Sequence, residues 1–85
     1  MKEFKYVVTD PAGIHARPAG EFVKAASKFS SEVNLTKDGR TVSAKKIFGV
    51  MGLAVKQGQE ITVTVEGPDE DTAATEIEEF LKNNL

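Results

Sequence analysis

The sequence has no cysteine and a single histidine, His15. Neither a disulfide framework nor a Cys/His zinc cluster can be assembled from that inventory, so folding has to rest on the burial of apolar surface. Long apolar runs are missing too. Nowhere do roughly 18 apolar residues follow one another, and the opening MKEFKYVVTD lacks the apolar stretch of a leader peptide. A membrane span and a signal peptide are therefore not expected, and the expected location is the cytoplasm. No repeat, linker or low-complexity stretch is visible. Lys24, Lys28, Arg40, Lys45 and Lys46 could imitate an RNA-binding patch, but no set of strand-borne aromatics accompanies them and the net charge is -2, so no nucleic-acid partner is expected. Asp69-Glu70-Asp71 lacks the sixth-position glycine and the later Glu of a calcium loop and reads as the start of a helix. No metal or cofactor is expected.

What is present amounts to 85 residues, 40% hydrophobic and 28% charged, which is enough for one small domain spanning 1–85 around one core. Its charge is unevenly placed. Residues 1–56 hold ten Lys and Arg against five Asp and Glu, whereas residues 57–85 hold one Lys against eight acids. The basic front suits an acidic partner or a phosphate; ordinary solvated helix faces would also account for it.

Phe4, Tyr6 and Val8 recur with a period of two and predict a strand ending at Asp10-Pro11. Ala19, Phe22, Val23, Ala26 and Phe29 fall at helical spacing, which predicts an amphipathic helix over about 16–28; Pro18 fits only in its first turn. Val33 and Leu35, the turn Lys37-Asp38-Gly39-Arg40, and Thr41 to Ser43 read as a hairpin. Ile47, Val50 and Met51 predict a helix of two turns at most, because Gly49 and Gly52 are poor helix formers. Ile61, Val63 and Val65 mark the strongest strand. Asp69 is then the expected N-cap of a last helix with Ala73, Ala74, Ile77, Phe80 and Leu81 as its buried stripe. The order β-α-β-β-α-β-α with half-buried strands predicts an α+β open sandwich: a four-stranded antiparallel sheet with three helices on one side.

His15 is the one side chain that normally titrates near neutral pH, and it falls between a glycine-containing loop and a helix start. First-turn N–H groups of Ala16 and Arg17 would point toward an anion attached to the imidazole, and the Arg17 guanidinium adds donors for phosphate oxygens. The same residues could instead be a helix cap and a solvated cation.

The string Gly13-Ile14-His15-Ala16-Arg17-Pro18-Ala19 resembles the active-site motif of HPr, the histidine-containing phosphocarrier of the phosphoenolpyruvate-dependent sugar phosphotransferase system (PTS). The resemblance extends through Phe22, Lys24 and Ala26, the segment Ile47-Phe48-Gly49-Val50-Met51-Gly52-Leu53, and Lys56-Gln57-Gly58. It implies the HPr-like sheet order 1-4-2-3. It also implies a phosphoryl carrier rather than a free-standing enzyme: His15 Nδ1 takes the group from phosphorylated enzyme I and passes it to EIIA domains of sugar permeases, with Arg17 assisting. Gly20, Lys24, Ile47, Phe48, Met51 and Gly52 are the implied partner surface, although Ile47 and Met51 also suit simple core packing. Phe48 points about 100° away from Ile47 on a helix and is expected to stand exposed. Position 46, a serine open to regulatory phosphorylation in one subset of the family, is Lys46 here. That residue is a poor N-cap, so either Ser43 helps cap the turn or this helix is weaker. A monomer without membrane insertion is expected. A regulatory binding module of the same family, or an unrelated ligand-binding α+β domain, are the competing functions.

Overall fold

The computed structural model describes residues 1–14 and 16–85, with Ala16 described by its backbone only. In chain order the elements are β1 (Lys2–Val7), α1 (Ala16–Ser27), β2 (Glu32–Lys37), β3 (Arg40–Ser43), α2 (Ile47–Gly52), β4 (Glu60–Glu66) and α3 (Glu70–Asn84). The strands form one antiparallel sheet in the order β1-β4-β2-β3, as the resemblance implied.

The period-two reading fixes which face is covered. Tyr6 stands opposite Ile61, Phe4 opposite Val63, Val63 opposite Leu35, and Leu35 opposite Val42, so one apolar row crosses all four strands. Ile61, Val63, Val65, Val33 and Leu35 are buried, while Thr62, Thr64, Asn34 and Thr36 between them stay partly exposed. A one-residue slip would turn each strand inside out, which is why alternation specifies the register so strongly. The β2–β3 hairpin closes through Asp38-Gly39, with Asp38 at φ +50, the backbone hand that matches strand twist.

Helix α1 seals the covered face with Ala19, Phe22 and Ala26, and α3 does so with Ala73, Ile77 and Leu81. Phe22 and Phe80 stack with centroids 5.9 Å apart. Each fully buried Phe, Ile or Leu contributes about 1.5–3 kcal/mol, so burial rather than intrinsic propensity holds these helices. The six-residue α2 depends on it most. It carries two glycines, has Val50 as its buried residue, and approaches β3 closely: a Cβ on Gly49 would lie 3.3 Å from Val42 Cβ.

Asp69 is the N-cap residue of α3, as expected, but its carboxylate makes no capping bond to that helix. It accepts instead from the Ser30 and Ser31 amides, both at 2.9 Å, and from the Ser31 hydroxyl, which tie the start of α3 to the segment after α1. Glu70 accepts from the Gly67 N–H at 3.3 Å and so closes the turn that precedes the helix. At α2, Lys46 stands at the cap position with extended backbone and no capping hydrogen bond; Ser43 Oγ accepts from the Lys45 amide at 3.2 Å and so closes the preceding turn, not the helix.

Candidate functional site

The loop between β1 and α1 is built by backbone contacts. Asp10 Oδ1 accepts from the Ala12 amide at 2.8 Å and the Asp10 carbonyl from Gly13 N–H at 2.8 Å, a compact Asx-type turn. Gly13 stands at φ +67, and a Cβ there would lie 2.3 Å from the Val55 carbonyl oxygen and 2.8 Å from Lys56 Cα. Only a glycine lets the two backbones meet this closely. Ile14 N–H then donates to that same Val55 oxygen at 2.9 Å.

A second loop, Leu53 to Gln59, is the platform. Gln57 Nε2 donates to the Thr9 carbonyl at 3.1 Å, Gly58 N–H to the Val8 carbonyl at 2.8 Å, and Gln59 Oε1 accepts from Lys56 N–H at 2.8 Å. The end of α3 braces the other side, where the Leu85 oxygen accepts from the Asp10 amide and the Thr9 hydroxyl, each at 2.9 Å. His15, the predicted phosphate acceptor, lies outside the described residues. Its neighbours in sequence are fixed: Ile14 is buried against the platform, and α1 opens at Ala16 with Arg17 exposed and Pro18 buried. The backbone of Ala16 and Arg17 thus belongs to the positive end of a twelve-residue helix, where anions are favoured.

The predicted partner residues lie on α1 and α2. Gly20 faces Ile47, whose Cδ1 would be 3.7 Å from a Cβ there, so α1 and α2 touch at this pair. Phe48 is 88% exposed and Met51 39%; Ile47 is half-buried, while Lys24 and Gly52 are exposed. Ile47 packs against the core with part of its side chain and presents the rest, whereas Met51 stands on the exposed side of α2. Lys46 is exposed at the near end of α2.

Among the described residues, no cluster of His, Cys, Asp or Glu able to hold a metal occurs and no helix is long and apolar enough to cross a membrane. A groove of about 260 Å³ between α1 and α3, lined by Ala25, Lys28, Phe29, Ile77, Phe80 and Asn84, lies at the far end of α1.

Residues 2–83 match the family described as the PTS HPr component phosphorylation site. The chain belongs to the HPr family. It is 48% identical over 73 residues to the phosphocarrier protein HPr of Lysinibacillus sphaericus, covering 86% of this chain and 83% of that one. Among solved structures, HPr-C-His from Thermoanaerobacter tengcongensis superposes with a TM-score of 0.94 at 41% identity, covering 98% and 93% of the two chains. The Bacillus subtilis catabolite repression containing protein Crh, described as a swapped dimer, gives 0.79 at 40% identity over 100% and 98%. An HPr is a phosphocarrier of the PTS and not an enzyme in itself.

Sequence reasoning missed Lys37, read there only as part of a turn. Its ammonium reaches the platform from the hairpin, donating to the Leu53 and Ala54 carbonyls. Nothing local in the sequence signals this contact, which joins positions 16 and 17 residues apart.

Proposed function

We propose that residues 1–85 act as one cytoplasmic HPr domain whose His15 Nδ1 accepts a phosphoryl group from phosphorylated enzyme I and yields it to EIIA domains of sugar permeases. The nitrogen–phosphorus bond forms as the bond to the donor breaks, and the reverse holds at the recipient. The imidazole has to enter with Nδ1 unprotonated. Little covalent chemistry falls to the protein, since positioning and charge compensation dominate phosphoryl transfer.

The observation that carries this reading is the backbone clamp of Gly13 and Ile14 on Val55, immediately before a helix that opens with Ala16 and Arg17. Their amides supply phosphate-facing donors and the exposed Arg17 guanidinium a mobile countercharge. A phosphohistidine must be formed and discharged repeatedly, which favours modest stabilisation at an open helix end over burial. Gly20, Lys24, Ile47, Phe48, Met51 and Gly52 form the docking surface, with the exposed Phe48 as its apolar anchor.

Incubation with phosphoenolpyruvate, Mg²⁺ and enzyme I is expected to add one acid-labile, base-stable phosphate, and His15→Ala to abolish it without unfolding the chain. An unlabelled parent would contradict the carrier role. It would favour a regulatory module, the reading supported by the likeness to Crh; the retention of both His15 and Arg17 supports the carrier. Lys46 has no hydroxyl, so regulation by seryl phosphorylation at this position is absent. An ATP-dependent HPr kinase is expected to leave the chain unmodified, and a stable phosphoserine on Ser43 or elsewhere would contradict that.

A further inference from the structure

Lys37 ends β2, remote in sequence from the site loop. Its half-buried side chain crosses to the end of α2, where Nζ donates to the Leu53 carbonyl at 2.9 Å and the Ala54 carbonyl at 3.2 Å. Carbonyls at a helix C-terminus lack intrahelical donors and carry partial negative charge, so an ammonium both satisfies and offsets them. The turn needs external support, because Ala54 stands at φ +52, where a residue with a Cβ is sterically disfavoured. The next residue is Val55, whose carbonyl oxygen holds Ile14 N–H and lies against Gly13.

We propose that Lys37 is a positioning residue for phosphoryl acceptance: by gripping the Leu53–Ala54 turn it fixes the Val55 carbonyl, and through it the backbone that leads into His15. The proposal rests on the carrier reading of His15. The Lys37 ammonium bonds the Leu53 and Ala54 carbonyls, which follow the last docking residue, Gly52, so its effect belongs in turnover and not in recognition.

The test compares the parent with Lys37→Met, which keeps the stem and loses the donor, and with Lys37→Arg, which restores a cation with several donors. Two quantities are read: steady-state kinetics with the chain as the varied substrate of enzyme I, and amide hydrogen exchange at Ile14 against Val63 in β4. For Lys37→Met the expectation is a turnover lower by about three- to tenfold at unchanged KM. Ile14 exchange should be about tenfold faster while Val63 stays protected, and Lys37→Arg should recover both. Parental turnover despite faster Ile14 exchange would overturn the proposal, as would parental Ile14 exchange whatever the turnover. If Lys37→Met does not fold, Lys37→Gln, which retains an amide donor, takes its place: an intermediate loss supports the proposal and parental behaviour refutes it. A parent that accepts no phosphate refutes the carrier reading, whereas the exchange comparison still decides whether Lys37 holds the loop.

Discussion

The two ends of β4 are held by different chemistry. At the Glu66 end, Asp69 gathers two amides and a hydroxyl from Ser30 and Ser31, and Gly67 packs so tightly on Ser31 that a Cβ would lie 2.6 Å from its Cα. At the Glu60 end, about 20 Å away along the strand, the contacts run from backbone to backbone between residues 8–14 and 53–59, with Lys37 and Gln57 reaching in from the side. The first end is a tertiary lock closed by a charged acceptor. The second is a backbone frame in the loop that leads to α1. The difference separates what keeps the chain folded from what would let it carry phosphate.

Matched glycine substitutions test that separation most sharply. Gly13→Ala forces a Cβ into the Val55 carbonyl at positive φ. Displacing the frame by even about 1 Å should slow phosphoryl transfer on the order of 100-fold, measured with enzyme I and phosphoenolpyruvate. Gly67→Ala meets Ser31 at φ +151 instead. A sparsely populated backbone conformation costs about 1–3 kcal/mol, so denaturant unfolding should register a clear loss while the folded fraction transfers at the parental rate. Loss of transfer in the folded Gly67 variant would break the distinction between the ends.

Acid should find the Asp69 end first. The Ser31 hydroxyl, then the Ser30 amide, hold the Asp69 carboxyl below the ordinary carboxylate range. A group depressed in the folded state stabilises above its unfolded pKa and loses that contribution as pH falls through its folded value. The Tm of the parent should accordingly be steady down to about pH 4 and then decline. Asp69→Asn should melt lower at neutral pH and converge on the parent in acid, with transfer unchanged. Parallel melting curves across the whole range would contradict the assignment.

Smaller effects belong to α2. Phe48→Ala should leave stability within about 0.5 kcal/mol yet raise KM for enzyme I roughly tenfold. Lys46→Ser places a capping hydroxyl on backbone that is already extended, φ -122 and ψ 112, and should stabilise the chain by about 0.5–1 kcal/mol. A fall in stability would mean that Lys46 contributes something its exposed position does not reveal.

The sequence carried the fold far because its strands alternate and its helices bury regular stripes: Ile61, Val63 and Val65 alone define a face, and Ala73, Ile77 and Leu81 another. The sheet order came from the resemblance, since pairing of β1 with β4 joins segments that no local pattern connects. Phe48 was legible because a short helix cannot cover every side. Asp69 and Lys37 were not. A carboxylate before a helix looks like a cap, and a lysine before Asp-Gly looks like a solvated turn residue, until tertiary structure brings Ser31 to one and the end of α2 to the other. In both cases what escaped were the partners of a polar side chain, which lie far along the chain, where periodicity says nothing.

The most direct test of the division between the two ends is a map of backbone amide chemical shifts before and after phosphorylation by enzyme I. Changes confined to residues around Gly13–Gly20 and Leu53–Gln57, with Ser30, Ser31 and Gly67–Glu70 unmoved, are the predicted result. Changes centred on the Asp69 lock, or spread evenly over both ends of β4, would contradict it.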